Sequence, residues 1–552
     1  MRKAWLAAAL AVTAIPAQAG LDSVRSVPLE PAAPDCLGGA AVTAATSVAE
    51  RPPVLVEGLG YAGFAPDSDN PQAKRWFEQG VRLVWAYDEA EAIRSFRQAQ
   101  ALDPQCAMCF WGEGWARSPT LNLNPRDEEH GAAKAAAARA AALSAKLGER
   151  DRGLVAALQA RLGKGAKFDN RAYMKAMQAL AARFPADDAV VVMAADATMV
   201  GSRTAEEGAP AQGLLERVLA RSPDHSGAIH YYIHLTDFID KQRLAEPYAN
   251  RLGRIAPGAS HLVHMPSHTF YGLGRYRDAA AVNVAALAAE KAYADKADPA
   301  ENDYRSGLAR HNMNFAIESA LMRGDGRTAL DVAGRFQKRF PAGDKEPRAM
   351  ARASTWYAAG LHAPVAEVLA MPEPGPGHPL IRAVRHYARG EAFARSGDAG
   401  GVKREAAAID AFLKGPESRK LGSKPVELLV GMTRRVLEGR AAMIEGRYKA
   451  ATLAFREALR LQGKAGFGMD PPPFWYSTRR SLAAALLAGG DEESARLQFL
   501  QTLREWPNDP RALFGLAQAE KALGHDQAAA AALARSNKLW AGGAAAMRLA
   551  RL

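Results

Sequence analysis

Cysteine is almost missing from this chain: three residues in 552, at positions 36, 106 and 109. That leaves room for one disulfide and one thiol over. Long apolar runs are missing too. After the first twenty residues no stretch approaches 18 uncharged apolar positions, which excludes a membrane-spanning helix of ordinary length. Runs of β-branched residues are scarce and argue against sheets, whereas Ala, Leu, Arg and Glu abound and favour helix. Aromatics make up 7% of the residues and seldom interleave with the basic ones. The formal charge of +12 is spread along the chain rather than gathered in one patch, so no nucleic-acid partner is indicated. Nucleophile elbows, phosphate-cradling loops and His-Glu-x-x-His pairs are absent.

What is present begins with a leader. Arg2 and Lys3 precede an apolar run over 5–15, and Ala17-Gln18-Ala19 forms a small-x-small cleavage site. This is the pattern of a secretory signal peptide over 1–19. No cysteine follows the cut, which argues against a lipid anchor. The expected location is periplasmic or secreted, with an uncleaved anchor as the other reading.

A period of 34 residues organises the rest. In a frame counted from Ala73, Trp76 falls at position 4, Gly80 at 8, Ala92 at 20, Phe96 at 24, Ala99 at 27 and Pro104 at 32. Small residues at this spacing let two helices touch, large ones fill the gap to the next pair, and proline ends the second helix. The frame recurs from Ser226 (Ala245, Pro257), Ser260 (Gly274, Tyr276, Ala279), Arg310 (Gly324, Ala329, Pro341) and Met432 (Gly439, Tyr448, Ala451, Phe455, Ala458). Tyr476 and Pro510 open two more frames. The pattern resembles the tetratricopeptide consensus and implies an all-α fold, a tetratricopeptide-type α-solenoid. The expected division is an irregular arm over 20–70, a repeat array over 71–345, divergent helical repeats over 346–430, and C-terminal repeats over 431–552. Breaks rich in Pro and Gly at 371–379 and 466–473 mark loops.

Half of the chain's twelve histidines fall in three of these frames. HYYIHLTD places His230 at position 5, His234 at 9 and Asp237 at 12. HLVHMPSHTFY places His261 at 2, His264 at 5, His268 at 9 and Tyr271 at 12. After an insertion of about 16 residues, His311 stands at 2, Asn314 at 5 and Glu318 at 9. Spacings of three and four share one helix face. The repeat resemblance implies that this face lines the concave groove, on helices roughly 8–10 Å apart. Imidazoles converging from adjacent helices beside carboxylates are the ligand types of a transition-metal site. His230, His234, His264 and His268 are expected to hold zinc, copper or iron, one ion or two, with His261 and His311 completing or flanking the shell. Asp237 or Glu318 would orient a ligand or move a proton, with Tyr271 and Ser267 as further ligands or orienters. The rival reading is a scaffold whose histidines hydrogen-bond an extended peptide or partner protein. His130, His225, His362, His378, His386 and His525 are read as packing or surface residues.

Cys106 and Cys109 lie in CAMCFWGEGWA. Covalent haem would need histidine where Phe110 stands. The pair reads first as a disulfide, then as a redox-active pair, then as a soft metal site with Met108. Cys36 is left over, free or joined to another chain.

CAMCFWGEGWA, HYYIHLTD, HLVHMPSHTFYGLGRY, RHNMNF and PPPFWYSTRRSLAAALLAGG, in that order, resemble a family of bacterial exported tetratricopeptide proteins of uncharacterised activity. The resemblance covers roughly 75–520. It implies the same histidine pattern at His230, His234, His261, His264, His268 and His311. In the family resembled, a further histidine often stands where this chain has Asn314, which puts one ligand in doubt here. Two uses follow for a metal groove: metal-dependent chemistry on a peptide or small molecule, or metal handling.

Overall fold

Strong helix formers separated by short polar turns give helix after helix, most of them near the length at which an isolated helix is marginal and each stabilised by its neighbour. A computed structural model describes residues 52–552 except 123, 124, 126, 164, 300, 301, 342–348, 376, 377, 466–470 and 544–546. All regular elements among the described residues are helical. The leader and Cys36 lie outside them. None of these helices is long and apolar enough to cross a membrane.

Helices pair antiparallel, and pairs stack into an α-solenoid of tetratricopeptide type. In the frame from Ala73 the pair is Pro71–Trp85 and Glu89–Leu102. In the frame from Ser226 it is Ser226–Phe238 and Gln242–Ile255. Position 15 of the frame explains the sharp turn inside each pair. There the chain must enter the left-handed region, at Gly274, Gly324, Gly446, Gly490 and Gly524. Glycine does so without a Cβ penalty. An aspartate often follows and caps the second helix: Asp325 accepts from Thr328 N and Asp491 from Ser494 N.

Two frames break the glycine rule. Asp240 sits at φ 56° and Tyr87 at φ 53°. A bulky residue in this region costs about 1–3 kcal/mol and persists only where its surroundings over-determine it. At Tyr87 the surroundings come from the insertion before Arg310. It extends two consecutive helices, Tyr276–Ala297 and Asp303–Arg323, into a hairpin longer than its neighbours. The hairpin reaches back to the first repeat. Tyr304 Oη donates to the Ala86 carbonyl at 3.3 Å and Arg305 pairs with Asp88 at 2.7 Å. The residues on either side of Tyr87 are therefore pinned.

The described part of the arm, 52–70, is packed against the repeats. Trp85 Nε1 donates to the Ala62 carbonyl at 2.9 Å, and Gly258 N donates to the Gly58 carbonyl at 2.8 Å. Asp67 accepts from the amides of Ala107 and Met108 at the start of the next helix. Between 346 and 430 the fit to the frame loosens because one second helix, Val365–Ala370, is only six residues long.

The C-terminal repeats curl back onto the turns that follow the histidine helices. Asn508 Nδ2 donates to the Leu273 carbonyl at 3.1 Å, and Ala541 N to the Arg323 carbonyl at 2.8 Å. A Cβ added at Gly274 would collide with the Pro507 carbonyl. Gly274→Ala should therefore combine left-handed strain of about 1–2 kcal/mol with overpacking of about 1–3 kcal/mol. Chemical denaturation should show a loss of about 2–5 kcal/mol. Gly334→Ala, exposed on a helix with open space around it, should instead gain up to about 1 kcal/mol. Equal effects at the two sites would contradict the closure described here.

Candidate metal centre

All six histidines of the motif are buried; His311, the most exposed, shows 8% of its surface. The groove expected from the sequence is thus closed over at this point. His230 and His234 lie one turn apart on Ser226–Phe238, and His311 lies on Asp303–Arg323. The helix between them is broken. It runs Ser260–His264, then Pro266–Gly272, because Pro266 has no amide hydrogen to give. His261 and His264 precede the break and His268 follows it.

The structure sorts the six into two groups of three. The ligand nitrogens of His230, His234 and His261 lie within 4.8 Å of one another, and so do those of His264, His268 and His311. This is not the quartet of His230, His234, His264 and His268 that spacing suggested. The reason is the step between repeats: the histidine at position 2 of one helix leans towards the pair on the preceding helix. Each group therefore takes its third member from the next repeat.

Hydrogen bonds fix which nitrogen of each ring faces inward. His230 Nδ1 lies 2.6 Å from the Trp85 carbonyl oxygen. A carbonyl only accepts, so Nδ1 carries the proton and Nε2 is a bare lone pair. His234 Nε2 and His261 Nε2 each approach it to 3.1 Å. In the second group His264 Nδ1 lies 2.7 Å from Asn283 Oδ1, whose amide is oriented by donating to the Ala279 carbonyl at 2.8 Å. His264 Nε2 is bare in turn, and His268 Nε2 stands 3.0 Å from it. Asp237 Oδ2 lies 3.4 Å from His268 Nδ1 and favours a proton there. With Nδ1 protonated on both rings, two lone pairs face each other. A cation between them relieves that arrangement; in its other tautomer His268 donates from Nε2 to His264 and gives up the proton facing Asp237. Nitrogen ligands on a tetrahedral ion with bonds of about 2.0–2.1 Å would stand about 3.3 Å apart, close to these separations.

Electrostatics disfavour an additional proton on these rings. Burial pushes the His230 imidazole down to about 3. Burial first, and the neighbouring imidazoles second, hold His234, His261 and His264 well below the usual range. Neutral imidazole is the form that ligates metal.

Each group also rests on one aromatic ring. Tyr87 lies 4.5, 5.9 and 5.8 Å from the rings of His230, His234 and His261. Phe315 lies 5.3, 4.9 and 5.1 Å from those of His264, His268 and His311. Trp85, Tyr87, Asn283 and Phe315 escaped the sequence reading. Asn283 left a signal: it stands at position 24, where the frame asks for a large apolar residue.

The other residues singled out by sequence divide. Asp237 is at the centre's edge, where it also accepts from Gln242 Nε2 at 3.1 Å. Ser267 Oγ lies 3.4 Å from His264 Nδ1. Tyr271 packs on Phe315 and Tyr276, outside both groups. Glu318 is buried two turns beyond His311, beside Tyr357, and belongs to neither group. His225 caps the Ser226–Phe238 helix by accepting from Ala228 N. Cys106 and Cys109 form a disulfide at the N-cap of Ala107–Ala116, and both are wholly buried, so no exposed thiol is offered for exchange.

Fold and site together define the class: a tetratricopeptide-like α-solenoid with two buried clusters of three histidines. No protein-family model and no curated protein matches the chain. Among solved structures, human IFIT1 bound to m7Gppp-AAAA aligns at 12% identity over 86% of this chain and 91% of that one, with a TM-score of 0.28. The P58(IPK) TPR domain aligns at 13% identity over 82% and 99%, with a TM-score of 0.23. Naa15/Naa10 bound to HypK-THB aligns at 12% over 87% and 91%, with a TM-score of 0.22. These scores carry no argument about function, and the description of the fold rests on the helices themselves.

Buried neutral histidines make stability depend on pH. Below about 6.5 the unfolded chain's imidazoles take up protons, while native His230 stays neutral down to about 3. Stability of the metal-free protein should therefore fall as pH drops through this window, by about 1.4 kcal/mol per unit for each such residue. His230→Gln should reduce the slope between pH 6 and 4 by about that amount in urea titrations. An unchanged slope would contradict a buried neutral imidazole at 230.

Proposed function

We propose that the six histidines bind transition metal, with zinc, copper and iron as the ions imidazole suits, and that the protein uses it for chemistry on a peptide or small molecule or for metal handling. The carrying observation is the contact between His264 Nε2 and His268 Nε2 at 3.0 Å, with His264 Nδ1 bonded to Asn283 and His268 Nδ1 facing Asp237 at 3.4 Å. An ion between these two lone pairs satisfies them; a metal-free neutral cluster forfeits one contact. The donors would be His230, His234 and His261 in one group and His264, His268 and His311 in the other. Asp237, at the edge of the centre, is the carboxylate placed to orient His268 and to hold a proton near it. Glu318 is too far along its helix to ligate either group and would act only through neighbours. Burial of all six rings weighs against the scaffold alternative, in which the same histidines meet an extended peptide. The leader supports export to a periplasmic or extracellular setting.

Elemental analysis of untagged protein from its native compartment tests the reading. Wild type should carry one or two equivalents of one transition metal, and the His230→Ala/His264→Ala double variant, cut in both groups, should carry none. Wild type that is metal-free and takes up neither zinc, copper nor iron defeats the proposal. Binding should also raise stability: at free metal a hundred times Kd, by about 2.7 kcal/mol, read as a shift in the urea midpoint that the double variant lacks.

A further inference from the structure

The two groups of three are copies of one another, generated by the repeat. Position 5, position 9 and position 2 of the following frame give His230, His234 and His261; one repeat on, the same rule gives His264, His268 and His311. The anchoring follows a common plan as well. The position-5 histidine of each group gives its Nδ1 proton to a fixed oxygen, the Trp85 carbonyl or the Asn283 amide, and turns Nε2 inward. One aromatic ring lies against all three imidazoles in each, Tyr87 in the first and Phe315 in the second. The rule stops on both sides. Counted from the start of the preceding first helix, Asp188–Gly201, positions 5 and 9 hold Val192 and Asp196, with Gly227 at position 2 of the next frame; one step later positions 5 and 9 hold Asn314 and Glu318. The helical break at Pro266 falls between the two histidines of the second pair, and the segment before it, Ser260–His264, gives His261 to one group and His264 to the other.

Resting on the metal reading above, we infer that the histidines form two separate three-nitrogen sites that hold a pair of copper ions, one per group. Three observations favour two ions over one shared ion. Within each group the inward nitrogens meet at 3.0–3.1 Å where hydrogen-bond geometry records them. Each group is complete as a set of three, the number that leaves an open position on a four-coordinate ion. The ligand nitrogens sort into two sets of three, each within 4.8 Å, although the rings of the two groups abut, at 6.0 Å for His234 and His268 and 5.9 Å for His261 and His264. The choice of copper follows from the donors. Neither group contains a thiolate or carboxylate among the described residues. Iron(II) sites of the facial-triad kind include a carboxylate, and among divalent ions in nitrogen sites copper binds most tightly. Two neighbouring ions with open positions would take a small bridging ligand, such as hydroxide, between them.

The test uses full-length protein stripped by chelator and loaded with copper(I) without oxygen, followed by copper analysis and, after oxidation, electron paramagnetic resonance. Wild type should hold two copper per chain. His261→Gln and His234→Gln, in the first group, and His311→Gln and His268→Gln, in the second, should each halve this to one; two variants per group keep the test decisive where one fails to fold, as judged by circular dichroism. In oxidised wild type the copper(II) signals should be coupled, with integrated intensity below two spins or a half-field transition, and each single variant should show one uncoupled copper(II). One copper in wild type, or loss of all copper from any folded single variant, overturns the two-site inference while leaving a metal centre in place. Two full, uncoupled signals in wild type overturn the pairing. Tight zinc uptake without copper uptake overturns the choice of ion. Absence of any metal defeats the earlier reading as well, and so is told apart from these.

Discussion

Neighbouring first helices in a stacked helical array lie roughly 8–10 Å apart. Two imidazole side chains reaching from both sides span that gap, whereas a single side chain does not. The centre in this protein depends on that spacing. It fixes which histidines meet, because a residue at position 2 leans on the preceding helix while residues at positions 5 and 9 wait for it. It also accounts for the division into two groups, since the central helix gives His261 to one side and His264 with His268 to the other. Nothing about a helix alone imposes such a division.

The array around the centre is arranged to remove water. The hairpin lengthened by the insertion docks on the first repeat through Tyr304 and Arg305, and the C-terminal repeats close on the turns at Leu273 and Arg323. Burying six imidazoles in this way suppresses their protonation, because desolvation penalises the charged form. The same burial leaves lone pairs with no solvent to satisfy them. Those two effects act together: neutral, dry, converging nitrogens are a poor arrangement for a metal-free protein and a good one for an ion. Tyr87 shows the strain this arrangement carries. It is held in a conformation that other repeats give to glycine, and its ring lies against all three histidines of one group.

Much of the repeat architecture was legible in sequence because packing between repeats demands small and large residues at fixed positions. Gly80 faces Phe96, and Gly439 faces Phe455, as the frame requires. The histidines were legible as one helix face for the same reason. Less legible were the partners that decide ring orientation. The Trp85 carbonyl is main chain and lies 145 residues from His230, so no side-chain pattern announces it. Asn283 was visible only as a polar residue in an apolar position. Phe315 sits in a motif noticed for its histidine, and Tyr87 looks like any turn residue until its φ is known.

The sequence by itself determined the helical repeat, its period, the turn positions and the set of histidines that share a face, because each of these depends on residues near one another along the chain. Tertiary structure alone decided how that set divides, which nitrogen of each ring points inward, and that the groove is closed over it. Those outcomes depend on the step between helices and on partners the fold brings in, the Trp85 carbonyl from 145 residues away among them, and no local pattern encodes such contacts.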